Sequence, residues 1–176
     1  ILKSLTLIKS SVVLDQLNDR IREALHQGDE KDTEAREGMD ISLCILDTDS
    51  NVLQFSGANN PIYLIHDNAL REYPADRIEI GSYSSVRQKF TNHEIKCSEG
   101  DVVYLFSDGY TDQVGGRDRK KYKSQKFREF LLSVHNKSVE EQKHLLDHEI
   151  ETWKGSYEQI DDILVMGIRI SSPVEG

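Results

Sequence analysis

Val102-Val103-Tyr104-Leu105-Phe106-Ser107-Asp108-Gly109-Tyr110-Thr111-Asp112 runs from an apolar strand pattern straight into an acidic turn. A second stretch, Gln159-Ile160-Asp161-Asp162-Ile163-Leu164-Val165-Met166-Gly167-Ile168, reverses the order, with an acidic pair leading into an apolar strand pattern. A carboxylate at the mouth of a buried strand is costly unless something neutralises it. Two carboxylates about 4–5 Å apart repel by about 3–4 kcal/mol at an effective dielectric of about 20. If the two strands lie side by side, Asp108 and Asp161 or Asp162 call for a hard cation with oxygen ligands, Mg²⁺ or Mn²⁺. That requirement points to metal-assisted phosphoryl chemistry.

Outward from these stretches, the chain reads as short strands joined by tight turns. Ile41 to Asp47 and Val52 to Gly57 are joined by Thr48-Asp49-Ser50-Asn51, and Ile62 to His66 and Ala69 to Tyr73 by Asp67-Asn68. Phe90 to Cys97 and Val102 to Ser107 are joined by Ser98-Glu99-Gly100-Asp101. Links this short predict hairpins and a largely antiparallel arrangement, because parallel neighbours need long crossovers. Ile41 to Leu46 carries one polar residue, Ser42, and Ile163 to Ile168 carries no charge. Such runs predict cover on both faces of the sheet, part of it from helices.

Three helices fit the apolar spacing. Leu14, Leu17, Ile21 and Leu25 recur at helical intervals after Ser10-Ser11. Phe127, Phe130, Leu131 and Val134 form a second stripe. Ser138 with Glu141 predicts a capping box, after which Val139, Gln142, Leu146, Ile150 and Trp153 share a face. Gln27 to Glu37 is charged, nearly devoid of large apolar residues, and reads as a solvated loop. The layout predicts one α+β domain over residues 1–176.

Composition narrows the function. The chain has 176 residues, enough for a single sizeable core, and 37% of them are hydrophobic. No apolar run approaches the ~20 residues that span a bilayer, so no membrane contact is expected of this domain. Ile1 to Lys9 lacks the long apolar core and small-residue cleavage site of a signal segment. With 31 acidic and 22 basic residues the formal charge is −9, which disfavours nucleic acid as a partner, since that binding rests on Lys and Arg neutralising phosphates. Cys44 and Cys97 sit inside strand patterns without CxxC spacing, and are expected to be buried free thiols of a cytoplasmic protein, with a disulfide between them as the lesser reading.

Each candidate residue also has a plainer explanation. Asp-Gly is a common turn pair, so Asp108 taken alone reads first as a turn former and only second as a metal ligand. Asp161 and Asp162 read alone as a solvated loop end, and Asp112 as a third acidic neighbour or a surface residue. His144 and His148 lie four apart on a helix, the spacing of some metal sites. Amphipathicity turns both towards water, however, and the capping box already accounts for Glu141. Gly115-Gly116-Arg117-Asp118-Arg119-Lys120-Lys121-Tyr122-Lys123 is the basic cluster of an acidic chain. It reads as a flexible solvated loop, or more sharply as a guide for an anionic phosphoprotein. Asn59 and Asn60 before Pro61 shape a turn.

Taken in order, these stations resemble a known family. Ser107-Asp108-Gly109 after a strand and Asp161-Asp162 before the last strand resemble two motifs of the metal-dependent type 2C (PPM) serine/threonine phosphatases. The chain is most similar to their bacterial SpoIIE/RsbU branch. Gly57-Ala58-Asn59-Asn60-Pro61 resembles that branch's Gly-His-Asn-Pro turn with Ala58 in place of His, Ile80-Gly81 its Pro-Leu-Gly segment, and Phe90-Thr91 follows in order. The similarity runs from about Leu14 onward. An Asp-x-x-Gly-His-Gly motif, whose Asp bridges two metals in the family, does not occur in the 176 residues. The resemblance thus leads us to expect a chain lacking the family's first strands.

The resemblance implies a largely antiparallel β-sandwich flanked by helices, with incomplete N-terminal strands. It implies a protein serine/threonine phosphatase in which metal-activated water attacks a phosphoserine or phosphothreonine. Asp108, Asp161 and Asp162 are the metal-site residues on this basis, Asp161 ahead of Asp162, which orients water or backbone. No catalytic group beyond them is assigned, and substrate-binding residues are left unassigned. The cofactor implied is Mn²⁺ or Mg²⁺ in a two-metal site. The partners implied are a phosphorylated regulatory protein, such as an anti-sigma-factor antagonist, and an upstream sensor or receiver domain in a signal-transduction protein. Without the bridging Asp, the 176 residues alone are expected to be inactive. The competing expectation is a non-catalytic interaction module with a degenerate phosphatase fold. A nucleotide-binding phosphotransferase is weaker, because no Gly-rich phosphate loop follows a strand.

Overall fold

The structure is a computed structural model and describes residues 8–25, 38–81 and 88–171. In chain order its elements are α1 (Ser10–Leu25), β1 (Ile41–Asp47), β2 (Val52–Ala58), β3 (Ile62–His66), β4 (Ala69–Tyr73), β5 (His93–Lys96) and β6 (Val102–Phe106). There follow α2 (Gly109–Asp112), β7 (Val114–Gly115), β8 (Lys120–Lys121), α3 (Ser124–Val134), α4 (Val139–Lys154) and β9 (Val165–Arg169). The fold is α+β, and every strand ladder is antiparallel. The charged stretch Gln27 to Glu37 lies outside the described residues. The chain divides into two compact units, Ile1–Pro61 with Pro74–Lys96, and Ile62–Tyr73 with Cys97–Gly176.

The first unit holds a three-stranded sheet in the order β1-β2-β5, with α1 against it. Leu14 of α1 packs with Ala58, Ile80 and Phe90, flanked by Leu17, Ile21, Ile41 and Leu43. Ser10 opens α1, as the paired serines suggest, and is itself buried. Its hydroxyl lies 2.8 Å from both Ser56 Oγ and Asn92 Oδ1, so its polarity is satisfied inside the unit. Asp76 accepts from the Thr91 amide and hydroxyl at 2.7 and 2.9 Å. Asn59 takes a positive φ of 57° and donates to Asp40 Oδ1 at 2.8 Å, so the Asn59-Asn60 turn forms as expected.

The second unit holds a four-stranded sheet in the order β4-β3-β6-β9, with α3 and α4. Asp67 and Asn68 both take positive φ, 47° and 58°, which matches the twist a two-residue hairpin needs between β3 and β4. Tyr63, Phe106 and Tyr110 meet Phe127 and Leu131 of α3 in one core. Phe106 and Phe127 pack edge to face at 5.1 Å between centroids, and Tyr110 lies 4.5 Å from Phe127. The capping box forms: the Glu141 amide donates to Ser138 Oγ, and the Glu141 carboxylate accepts from the Ser138 amide. That second bond, first among the causes, holds the Glu141 carboxyl below its ordinary pKa.

Five expectations need correction. Phe90 to Cys97 and Val102 to Ser107 are not a hairpin: β5 pairs with β2 and β6 with β3 and β9, so the Ser98–Asp101 link passes between two sheets. The early part of that first stretch, Phe90 to Asn92, is not strand. The apolar runs do not report cover on both faces, for β1 is half-buried throughout and β9, the last strand of its sheet, is mostly exposed. The basic segment from Gly115 to Lys123 is not a plain loop, because β7 and β8 pair within it. The thiols divide: Cys97 is buried and Cys44 half-buried.

Candidate active site

β6 and β9 lie side by side, in register from Val102↔Arg169 to Phe106↔Val165. The pairing continues past both strand ends. The Ser107 amide donates to Leu164 O at 3.0 Å, and the Ser107 hydroxyl donates to Asp162 O at 2.7 Å while accepting from the Leu164 amide at 2.9 Å. One serine side chain thus holds the acidic pair's backbone against the end of β6. Gly109 explains the closeness of the next step. A Cβ there would fall 2.4 Å from Asp162 O and 3.4 Å from Asp161 Cβ, so only glycine lets the two acidic turns abut.

Asp108 sits between these contacts, exposed, at the start of α2. Its backbone carbonyl is used twice, by the Asp112 amide at 2.8 Å and the Thr111 hydroxyl at 3.0 Å. Its carboxylate makes no capping hydrogen bond to the helix it precedes. An aspartate placed there for turn or cap formation would normally accept from the second or third helical amide. Asp161 accepts from the Asp162 amide through Oδ1 at 2.7 Å, and its carbonyl accepts from Gln159 Nε2 at 2.8 Å. Asp161 and Asp162 are both exposed.

The platform beneath is rigid. α2 is only one turn long, but Tyr110 anchors it, being 1% exposed and donating its hydroxyl to Leu146 O of α4 at 3.0 Å. Burial is the leading cause that raises the Tyr110 pKa far above the ordinary phenol range. Gln113, fully buried just after α2, donates from Nε2 to Glu158 O at 2.9 Å and so ties α2 to the loop that carries Asp161. Its backbone carbonyl accepts from Trp153 Nε1 and from the Tyr122 amide, both at 3.0 Å.

Of the three residues singled out in sequence, the structure brings their two turns together at one end of the β6–β9 ladder. Asp112 is engaged elsewhere, its Oδ2 2.7 Å from Lys121 Nζ. His144 and His148 are exposed on α4. His66 Nδ1 lies 2.8 Å from Asp101 Oδ1, and His93 stacks on Phe55. Among the described residues, no three of His, Cys, Asp and Glu converge on a point that could hold a metal ion. Ser107 and Gln113 position the site yet carried no assigned role in the sequence. Ser107 was legible as part of Ser-Asp-Gly, whereas nothing local marks Gln113.

The family described as Stage II sporulation protein E (SpoIIE) matches residues 4–171. No curated protein matches the chain at a significant level. Among solved structures, the SiaA-PP2C domain of Pseudomonas aeruginosa superposes with a TM-score of 0.80 at 23% identity, over 95% of this chain and 63% of that one. The phosphatase domain of the cell fate determinant SpoIIE from Bacillus subtilis gives 0.60 at 17% identity, over 90% and 73%. The catalytic domain of the serine threonine protein phosphatase PstP, in complex with 2 manganese ions, gives 0.65 at 17% identity, over 92% and 70%. The chain therefore spans less than two thirds of the SiaA domain. These likenesses show the fold, that of the PP2C-type serine/threonine phosphatase domains. With a family match along nearly its whole length, the chain belongs to the Stage II sporulation protein E (SpoIIE) family.

Proposed function

We propose that this domain belongs to a metal-dependent phosphatase acting on phosphoserine or phosphothreonine of a regulatory protein, with Asp108 and Asp161 as metal ligands and Asp162 beside them. One observation carries the reading: two acidic turns are packed together at the end of the β6–β9 ladder, while the Asp108 carboxylate makes no capping hydrogen bond to α2. Hard carboxylate oxygens of this kind suit Mn²⁺ or Mg²⁺. When bound, such ions activate water and offset charge on the transferring phosphoryl group. The chain's own part is to hold the carboxylates still, through Ser107, Gly109 and Gln113, on a helix anchored by Tyr110.

The donor set is short of a full cage, since no three-ligand group forms among the described residues. We accordingly expect these 176 residues alone to bind Mn²⁺ at about millimolar strength or more weakly, and to be inactive. This shortage also supports the second reading, a non-catalytic interaction module. The regulatory protein fits an anti-sigma-factor antagonist, with sensor or receiver domains upstream in a signalling protein of the cytoplasm.

The test uses the natural protein that carries this chain. It is expected to hydrolyse p-nitrophenyl phosphate and a phosphoserine peptide only with Mn²⁺ or Mg²⁺. Asp108→Asn and Asp161→Asn are each expected to lower kcat by about 10²–10³-fold, the usual loss on removing one strong stabiliser of a charged transition state. Full activity in either variant removes that residue from the metal site. A folded natural protein without activity on any phosphoprotein favours the interaction module.

A further inference from the structure

Within residues 117–123 the chain packs five cations, Arg117, Arg119, Lys120, Lys121 and Lys123, against the single acid Asp118. The protein's net charge is −9, so this segment inverts the charge of the chain as a whole. It is also built. β7 and β8 pair through Val114↔Lys121 and Gly115↔Lys120. The ribbon is pinned at its root, where the Gly116 amide donates to Trp153 O at 2.9 Å and a Cβ on Gly115 would fall only 2.0 Å from that same oxygen. Gly115 therefore permits a close approach that no other residue allows.

The ribbon is fastened to both acidic turns. On one side Lys121 pairs with Asp112, one helical turn from Asp108, and the Lys123 amide donates to Thr111 O at 2.7 Å. On the other side the Arg119 guanidinium stacks over Tyr157, 5.7 Å from the ring centroid, in the loop that leads to Asp161. Stacking leaves the N–H groups of an arginine available for a phosphate or carboxylate. Arg117 and Lys123 are exposed and enter no ion pair among the described residues.

We propose that the β7–β8 ribbon is the docking surface for the protein substrate, and that it selects an acidic sequence flanking the phosphorylated residue. The proposal rests on the phosphatase reading for its biological setting, though the binding surface is argued from the ribbon itself. Net repulsion from a −9 protein does not defeat it. At physiological ionic strength charges are screened within about 8 Å, so an approaching peptide feels the local cations and not the distant acids. A nearby cationic strip also raises the encounter rate of an acidic partner in a salt-dependent way.

The experiment measures binding and turnover separately in the natural protein. Labelled phosphoserine peptides with Asp/Glu flanks and with Lys flanks are titrated by fluorescence anisotropy. The acidic peptide is expected to bind about 10-fold more tightly, with the difference collapsing at high NaCl. Arg117→Glu with Lys123→Glu, at the two exposed cations that enter no ion pair among the described residues, is expected to erase the preference, while hydrolysis of p-nitrophenyl phosphate and its Mn²⁺ dependence stay at wild-type levels. Equal binding of both peptides, or an unchanged preference in the variant, overturns the proposal. So does a stronger loss on anionic vesicles or single-stranded DNA than on the acidic peptide. If the acidic peptide binds through the ribbon but p-nitrophenyl phosphate is never hydrolysed, the ribbon stands and the phosphatase reading falls.

Discussion

His66 and Asp101 form a pair that no local pattern announces. His66 Nδ1 lies 2.8 Å from Asp101 Oδ1, and Asp101, with its side chain 5% exposed, also accepts from the Ser98 amide through Oδ2 at 2.8 Å. His66 itself is half exposed, and Asp67 approaches its Nε2 at 3.3 Å. The hydrogen bond to Asp101, followed by the charges of Asp101 and Asp67, raises the His66 pKa above 6.5. A histidine with a raised folded pKa stabilises fully below its unfolded value, here 6.5, and loses that contribution as pH climbs through the folded value. The thermal midpoint of His66→Gln is therefore expected to fall furthest below wild type below pH 6.5, and to converge on it as pH rises above that value. A gap that is constant with pH removes the charged pair from the account.

The elements show which parts of the fold a sequence can carry. The β1–β2 and β3–β4 hairpins were legible because turn residues and strands are neighbours in the chain, and the observed pairings Asp47↔Val52 and His66↔Ala69 close there. The α4 capping box was legible for the same reason. The link from β5 to β6 was not, since a chain that changes sheets carries the same short, polar signature as a hairpin. The candidate site was half legible: strand-plus-acid patterns marked Asp108, Asp161 and Asp162, but the contacts that press their turns together join residues about 50 apart. Gly109→Ala tests that join at the level of α2 and the acidic loop. The added Cβ meets backbone, Asp162 O at 2.4 Å and its carbonyl carbon at 2.9 Å, neither of which can swing aside as a side chain does. Overpacking of this kind costs about 1–3 kcal/mol. We expect denaturant unfolding to show that loss and Mn²⁺ affinity in the natural protein to fall with it. A variant of wild-type stability shows that the loop yields freely, and then the join does not fix the carboxylates.

At the scale of the whole molecule, the four-stranded sheet has two unlike edges. β4 presents Arg71 and Glu72, charges of the kind that discourage a foreign strand. β9 carries no charge before Arg169, and Leu164, Met166 and Ile168 are 58%, 50% and 38% exposed along one side of it. Beside it a cleft of about 670 Å³ opens onto Val139, Leu146, Ile150, Ile163 and Val165. An exposed apolar edge is a template for another strand. Against that stands a net charge of −9, which makes copies of the chain repel one another. The two effects respond oppositely to salt, because screening shortens the repulsion from about 30 Å at 0.01 M to about 8 Å at 0.15 M and leaves apolar contact in place. The 176-residue chain by itself is therefore expected to sediment as a monomer at low ionic strength and to self-associate as NaCl is added. Met166→Lys puts a charge in the middle of the edge and is expected to keep the chain monomeric at both salts. Its direction is the reverse of that expected for the acidic peptide on the ribbon, whose binding weakens with salt. Association that falls with NaCl, or that survives Met166→Lys unchanged, assigns self-contact to another surface.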